Sequence, residues 1–391
     1  MALLGLNIAV LGGGIGGLTV ALALAQRGAQ VTVLEQAEAI NEVGAGIQVG
    51  PNGICVMRAL GLEDSLAACC VRAQAVELRD YKNGDLVTRL DLTRLGPDQP
   101  YYFVHRADLI NLLAESCRAA GVNIRLLQKA TDVTPGPRPE VMLAQGAHFQ
   151  ADLVVCADGL HSVGRKALNG TSAPFFTGQV AWRATVPNQM RHKAVAQVHM
   201  GPKRHVVSYS LRGGELVNLV AVQERSEWAE EGWAFKDDPE NLRRVFADFG
   251  GDVPALMDAT TEVGRWGLFR HPVAKRWYGE NVALLGDAAH PTLPFMAQGA
   301  VMAMEDAWVL AASLAESDGI AAGLAMYQSR RFDRVSKIVE TANGNAQKYH
   351  LSNPILRKAA HTALRAMGTV APSKMLGQFD WIYRHDVTKT G

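Results

Sequence analysis

The sequence predicts an α/β protein: a doubly wound, parallel-sheet body interleaved with an antiparallel sheet and closed by C-terminal helices. Three observations carry this expectation. A glycine-rich strand–turn–helix–strand unit opens the chain, "LNIAVLGGGIGGLTVALALAQRGAQVTVLEQ". Apolar strands of parallel type return at "ADLVVCADG" and "NVALLGDAAHP". Between them lies a block of alternating runs that suits a sheet wetted or covered differently on its two faces.

The 391 residues allow two domains or one large body with an inserted layer. A net charge of +1 leaves no electrostatic footprint for nucleic acid. No segment is apolar for long enough to span a bilayer, so no integral membrane segment is expected. Cys55, Cys69, Cys70, Cys117 and Cys156 form no CxxC pair; free thiols in a reducing, cytoplasmic compartment are expected, with no metal. The apolar N-terminus lacks a basic region before Arg27 and is studded with glycine, so it reads as folded structure and not as a signal peptide.

In chain order, Ile8–Leu11 reads as a strand, Leu18–Gln26 as a helix stopped by Gly28, and Val31, Val33 and Leu34 as a second strand. The glycine-rich "EVGAGIQVGPNG" leads into a helix near Ile54–Leu60. Residues 75–104 alternate around the turn "YKNGD", which predicts a hairpin. "HRADLINLLAESCRAAG" places Leu109, Leu112, Leu113 and Cys117 on one side of a helix. "AVAQVHM", "HVVSYSL" and "LVNLVAV", separated by "GPKR" and "RGGE", predict the antiparallel insertion. Helices fill most of 297–370, and the tail from Val387 is expected to be loose. The expected division is a discontinuous parallel-sheet body (1–75, 100–172 and 273–330), an antiparallel sheet (76–99 and 173–272) and a C-terminal helical region (331–391).

Gly12-x-Gly14-x-x-Gly17 sits between strand and helix, where glycine makes the tight turn, admits a pyrophosphate to backbone N–H groups and packs helix on strand. The helix N-terminus adds partial positive charge. Glu35 ends the second strand, placed to accept hydrogen bonds from an unphosphorylated ribose. This unit alone does not separate NAD from FAD. Two later motifs do: "CADGLHSVGRK", with Asp158, Gly159, Ser162 and Arg165, and "NVALLGDAAHPTLPFMAQGAVMAMEDA", with Gly286, Asp287, His290, Pro291, Gln298 and Gly299. A second strand-end site so far along the chain suits a cofactor with two ends. Val301, Met304, Trp308 and Ala311 share one helical face, so a helix starts near Ala297–Gly299 with its N–H groups directed at an anion.

With these residues the chain resembles the class A flavoprotein monooxygenases that hydroxylate aromatic rings. GxGxxG, DGxxSxxR and GDAxHP occur in that family's order, and "HRADL" (His105–Leu109) matches a further segment. The resemblance implies a Rossmann-like FAD-binding domain interleaved with a substrate sheet, as in p-hydroxybenzoate hydroxylase. It implies tightly bound, non-covalent FAD, with Glu35 and Arg106 at the ADP and ribose part and Asp287 at the ribityl or pyrophosphate region. Asp158 belongs to a motif associated with both FAD and passing NAD(P)H; Gly286, Pro291, Gly299 and Ala300 complete the expected cofactor contacts. No second GxGxxG exists, so NADH or NADPH is expected to bind transiently.

On the substrate side, alternation puts His205, Val207 and Tyr209 of "RHVVSYSL" on one face. His205 and Tyr209 lie roughly 13 Å apart along an extended strand and could bracket one small ring. His-x-x-x-Tyr followed by "RGGELVNLVAV", together with "GAGIQVGPN" and "MAQGA", resembles the 3-hydroxybenzoate 6-hydroxylase, salicylate hydroxylase and 6-hydroxynicotinate 3-monooxygenase branch. An imidazole titrates near neutrality, which suits His205 as the base for a phenol; Tyr209 and Gln298 would orient the ring. Gln48, Val207 and Pro291 are further pocket candidates, and Trp182 and Arg183 are expected on the wall between domains. The implied reaction is hydroxylation of a 3-hydroxybenzoate- or salicylate-like acid with NAD(P)H and O2 through a flavin C4a-hydroperoxide. Alternatives are a heteroaromatic (hydroxynicotinate, urate), polyketide or quinone-precursor ring, or a non-catalytic redox-sensing role. A monomer or homodimer is expected.

Overall fold

The computed structural model describes residues 3–40, 45–225 and 236–389, without the side chains of 346 and 347. Gly44, the first residue of "GAGIQVGPN", lies outside them. A six-stranded sheet is ordered Tyr278–Gly279, Val282–Leu284, Leu153–Cys156, Asn7–Leu11, Gln30–Leu34, Asn123–Arg125. All its pairings are parallel except the outermost one, Tyr278–Gly279 on Val282–Leu284. Parallel strands covered on both faces carry continuous apolar runs, and Leu153–Cys156 is buried at every position. The helix Ile15–Ala25 has no charged residue and is apolar around its circumference, the pattern of a fully buried helix. It packs against the helices Arg106–Ala119 and Gly299–Glu316.

The inserted block forms an eight-stranded sheet ordered Lys236–Asp237, Val263–Arg270, Phe175–Pro187, Leu216–Glu224, Arg204–Leu211, Val195–Gly201, Ala75–Asp80, Leu86–Asp91. It is antiparallel except where Val195–Gly201 runs parallel to Ala75–Asp80, which sews the early hairpin onto the later insertion. One face buries Trp182, Val206 and Leu219 against Leu242, Phe246, Leu256 and Met257 of two short helices. The opposite face turns toward the parallel body, where Val220, Val222 and Trp266 meet Leu293 and Phe295. The two sheets therefore lie as facing layers, with Leu293 and Phe295 of the parallel body's loops packed between them.

Some expectations need correction. Residues 102–104 do not continue the hairpin; Tyr102–His105 pairs with Gly46–Val49 in a small separate sheet. A further three-stranded sheet, Ala130–Thr134, Glu140–Leu143 and His148–Gln150, has strands too short and too exposed to show a period in sequence. The tail is not loose at Val387, which is 3% exposed and belongs to the main core, preceded by Asp386 whose side chain accepts from Thr388. Burial of one apolar side chain of this size is worth about 1.5–3 kcal/mol, enough to pin a terminus. Among the described residues no helix is long and apolar enough to cross a membrane.

Candidate active site

The glycines of the first turn do different work. A Cβ on Gly12 (φ +98°) would stand 2.6 Å from the Ala157 carbonyl oxygen, and one on Gly17 would stand 2.0 Å from the Gly12 carbonyl oxygen. These two allow the turn, the helix and the Asp158 loop to touch. Gly14 has no protein atom within 4 Å of a Cβ position and caps the helix Ile15–Ala25 without a side-chain bond. Unmet helix N–H groups therefore open onto space, the arrangement that seats a phosphate. Glu35 reaches the same turn: Oε2 accepts from Gly13 N–H at 2.5 Å and Oε1 from Ala37 N–H at 2.8 Å. Each oxygen keeps a lone pair for a ribose hydroxyl.

In the second motif, Asp158 Oδ2 accepts from Val163 N–H at 2.8 Å, and Ser162 Oγ accepts from Arg165 N–H at 3.0 Å. Asp158 Oδ1 is buried with no partner among the described residues. Arg165 makes no pair with Asp158; it donates to the carbonyls of Ala288, Ala289 and Pro272 at 2.7–3.2 Å. It clamps the third motif against the second and is a structural brace.

The third motif rests on a buried ionic layer that its own residues did not announce. Asp306 Oδ2 accepts from Gly286 N–H (3.2 Å) and meets His290 Nε2 (2.6 Å), while Oδ1 accepts from Arg331 Nε (2.8 Å). Glu305 pairs with Arg331 and Arg334 and accepts from Asn52 Nδ2 at 2.7 Å. Asn52 in turn donates to Gln298 Oε1 at 3.0 Å. His290 is 1% exposed and lies against Trp277, so it anchors the loop and has no route to a substrate. Pro291 is buried in the same loop. Gln298 caps the helix Gly299–Glu316, whose N-terminus has no side-chain cap; Gln298 Nε2 is buried and unpartnered among the described residues, and Gly299 and Ala300 are half-buried beside it.

Arg106, Asp158, Arg183 and Asp287 share an unusual setting. Each keeps accessible surface, yet protein crowds it closely enough that burial is the largest influence on its titration. Accessible surface with protein all around is the condition of a group in the wall of a deep cleft. Burial pushes Arg106 down to about 10, helped by Arg183 and opposed by Asp287. Burial raises Asp287, against the pull of His290 and Arg106, and its carboxylate accepts no hydrogen bond from the described residues. An open phosphate cradle at Gly14, ribose acceptors at Glu35, unpartnered carboxylate oxygens at Asp158 and Asp287 and an uncapped helix at Gln298 together fit a long dinucleotide with an anionic ring edge.

The strand Arg204–Leu211 divides its three candidates among different neighbours. Tyr209 packs on Phe103 (ring centroids 5.0 Å) and would meet a Cβ on Gly46 at 2.6 Å; burial raises its hydroxyl, with Arg183 opposing. His205 is 1% exposed, with Phe295 at 5.4 Å and Tyr349 at 5.5 Å between ring centroids. Val207, still accessible, packs with both groups. Burial, reinforced by His350, holds His205 well below the usual imidazole range, so it is neutral at physiological pH. Gln48 Oε1 accepts from Tyr101 Oη at 2.9 Å. Tyr209, Tyr349 and Tyr383 all lie near enough to Tyr101 to perturb it. Trp182 is not on the wall: it points to the opposite face and donates to Asp237 at 2.7 Å, whereas Arg183 faces the cleft over Trp266. Tyr349, His350 and Tyr383 are site neighbours that sequence reasoning missed, because single aromatics in helical stretches carry no motif.

A two-ended cofactor cleft running into an aromatic pocket defines a flavin-dependent oxidoreductase acting on a ring. The family model described as "FAD binding domain" matches residues 6–342, and the chain belongs to that family, the FAD-dependent aromatic monooxygenases. It is 36% identical over 354 residues to 3-amino-4-hydroxybenzoate 2-monooxygenase of Streptomyces cremeus, covering 88% of each chain. It is 34% identical to 3-hydroxybenzoate 6-hydroxylase of Klebsiella oxytoca, covering 87% of this chain and 88% of that one. Klebsiella pneumoniae HpxO, solved with FAD and uric acid, superposes with a TM-score of 0.84 at 27% identity, over 96% of this chain and 97% of that one.

Proposed function

We propose that the protein hydroxylates a small phenolic aromatic acid, 3-hydroxybenzoate- or salicylate-like, using NADH or NADPH and O2. The observation that carries this reading is the strand Arg204–Leu211, which offers a neutral, buried imidazole at His205 and a phenol at Tyr209 with the accessible Val207 between them. Relatives that act on hydroxybenzoates by name support the substrate class. Bound FAD would take electrons from the nicotinamide and supply one oxygen atom of O2 to the ring. Gly12, Gly14, Gly17, Glu35, Arg106, Asp158, Gly286, Asp287, Pro291, Gly299 and Ala300 would hold it.

The chain's own residues bind, orient and deprotonate. His205 accepts the phenolic proton, which leaves an electron-rich ring for attack on oxygen. Tyr209 and Gln298 fix the plane of the ring, with Gln48 held by Tyr101 at its edge. Arg183, beside Tyr209 and stacked on Trp266, is the cation that the substrate carboxylate would meet. The apolar surround of Phe103, Phe295 and Val207 excludes water.

The test is hydroxybenzoate-stimulated NAD(P)H oxidation with product identification, across 3-hydroxybenzoate, salicylate, 3-amino-4-hydroxybenzoate, 6-hydroxynicotinate and urate. His205→Asn should lower kcat by about 10²–10⁴-fold at neutral pH and regain activity as pH rises toward the substrate's own phenol pKa. Hydrogen peroxide as the sole product with every benzoate would sink this reading. Turnover of urate or hydroxynicotinate alone would favour the heteroaromatic alternative, which the resemblance to HpxO keeps in play.

A further inference from the structure

His205 does not stand alone. His205 Nδ1 lies 2.7 Å from His350 Nε2, and His350 Nδ1 lies 2.8 Å from Glu224 Oε1. His205 and His350 are buried residues, 1% and 5% exposed, whereas the Glu224 side chain is 37% exposed. The three groups run in line from the pocket to the surface. They do not converge, and among the described residues no three His, Cys, Asp or Glu side chains are grouped to hold a metal.

Their order fixes the protons. A carboxylate only accepts, so His350 Nδ1 must donate to Glu224. A neutral imidazole with its proton on Nδ1 has a lone pair on Nε2, so His350 Nε2 must accept, and His205 Nδ1 must donate to it. What remains is His205 Nε2, which carries the lone pair once Nδ1 donates to His350. This is the tautomer that a base needs. The backbone holds the arrangement in place. Glu224 N–H donates to the Lys203 carbonyl at 2.9 Å, and Lys203 N–H donates to the His350 carbonyl at 3.3 Å. Val222 is the register partner of His205, and Glu224, two residues on, projects from the same face. His350 terminates the 30-residue helix Ile320–Tyr349.

We propose that His350 and Glu224 are positioning and relay residues that carry the phenolic proton from His205 to solvent. This rests on the reading of His205 as the base. The step balances without oxidation or reduction. Substrate O–H breaks as His205 Nε2–H forms; His205 Nδ1–H breaks as His350 Nε2–H forms; His350 Nδ1–H breaks as Glu224 Oε1–H forms. Glu224 exchanges its proton with water. The same path runs in reverse when the product hydroxyl is re-formed, which restores both tautomers. A relay answers a physical difficulty: an imidazolium stranded in an apolar pocket is costly, and passing the charge outward removes it. The titratable groups facing the pair are Tyr349 beside His205 and Glu224 beside His350; Arg204 points away, paired with Asp248.

The experiment mixes the FAD-loaded holoenzyme with 3-hydroxybenzoate in weakly buffered solution containing a pH-indicator dye. Proton release and the phenolate absorbance of bound ligand are followed from pH 5.5 to 9. Wild type should release one proton per site. His350→Gln keeps hydrogen-bonding groups but cannot exchange protons in this way. It should slow release at least tenfold and raise the pH of ligand ionisation by a unit or more, with KM changed less than kcat. Glu224→Gln, at the surface, should slow release with the fold intact, and Glu224→Asp should restore it. Unchanged release and an unchanged ionisation profile in His350→Gln and Glu224→Gln, with wild type still hydroxylating, overturn the relay alone. If wild type forms neither phenolate nor hydroxylated product with any benzoate, the parent reading falls, and the relay with it.

Discussion

At the scale of single residues, glycines that look alike in sequence have separate duties. A Cβ at Gly14 meets no described atom within 4 Å beyond its chain neighbours, and its backbone (φ −77°, ψ −176°) suits any residue. Gly14→Val should therefore leave the apoprotein's urea unfolding within about 0.5 kcal/mol of wild type, yet reduce FAD retained on purification by at least tenfold. Gly17→Val drives a side chain into the Gly12 carbonyl and should fail to fold or lose several kcal/mol, as overpacking of a tight contact does. Equal loss of stability in both variants would mean that Gly14 is a packing glycine and not a cradle. Asp158 and Arg165 show the reverse lesson. They stand in one motif, yet the carboxylate turns to the cleft and backbone while the guanidinium turns to three carbonyls.

At the scale of elements, the helix Gly299–Glu316 does more than present an uncapped N-terminus. Its second turn supplies Glu305 and Asp306, which hold Gln298 through Asn52 and the Gly286 loop directly. Asp306→Asn leaves Arg331 and His290 buried without a full counter-charge, and should cost about 3–5 kcal/mol. Urea unfolding and FAD content measure this; a variant with wild-type midpoint and full FAD would show that the ionic layer is dispensable. This layer was not legible in sequence, because "MAMEDA" reads as a helix turn and its partners Arg331 and Arg334 lie 25–29 residues away. The three cofactor motifs were legible because each needs a fixed local spacing. The strand with His205, Val207 and Tyr209 was legible because alternation is local too. His350 was not: it reaches His205 only because the long helix, about 45 Å in length, delivers its end to the eight-stranded sheet. The early hairpin's parallel attachment to Val195–Gly201 escaped prediction for the same reason, since pairing across more than 110 residues leaves no local trace.

At the scale of the whole molecule, two layers share one interior, and that interior holds several histidines in the neutral form. His192, His199, His205, His271 and His350 are all displaced downward, with burial as the first cause. A histidine neutral in the fold and free to protonate once unfolded binds more protons in the unfolded state below about pH 6.5. Stability is therefore intact above that pH and is lost as pH falls. His199 isolates the effect because it lies on the strand Val195–Gly201, apart from the candidate site. It is fully buried, both ring nitrogens lack partners among the described residues, and burial with Arg79 and His192 sets it at about 4 against the opposing Asp252 and Glu77. Between pH 6.5 and 5, at about 1.4 kcal/mol per pH unit, this one group withdraws about 2 kcal/mol. His199→Leu removes a group that makes no hydrogen bond to the described residues, so little is lost at pH 7.5 beyond the change of shape. The difference in urea-unfolding free energy between pH 7.5 and 5.0 should shrink by about 2 kcal/mol in the variant. An unchanged difference would place the acid sensitivity elsewhere, in the ion pairs of the Glu305–Asp306 layer, whose carboxylates are held below their usual range and weaken the fold only at lower pH.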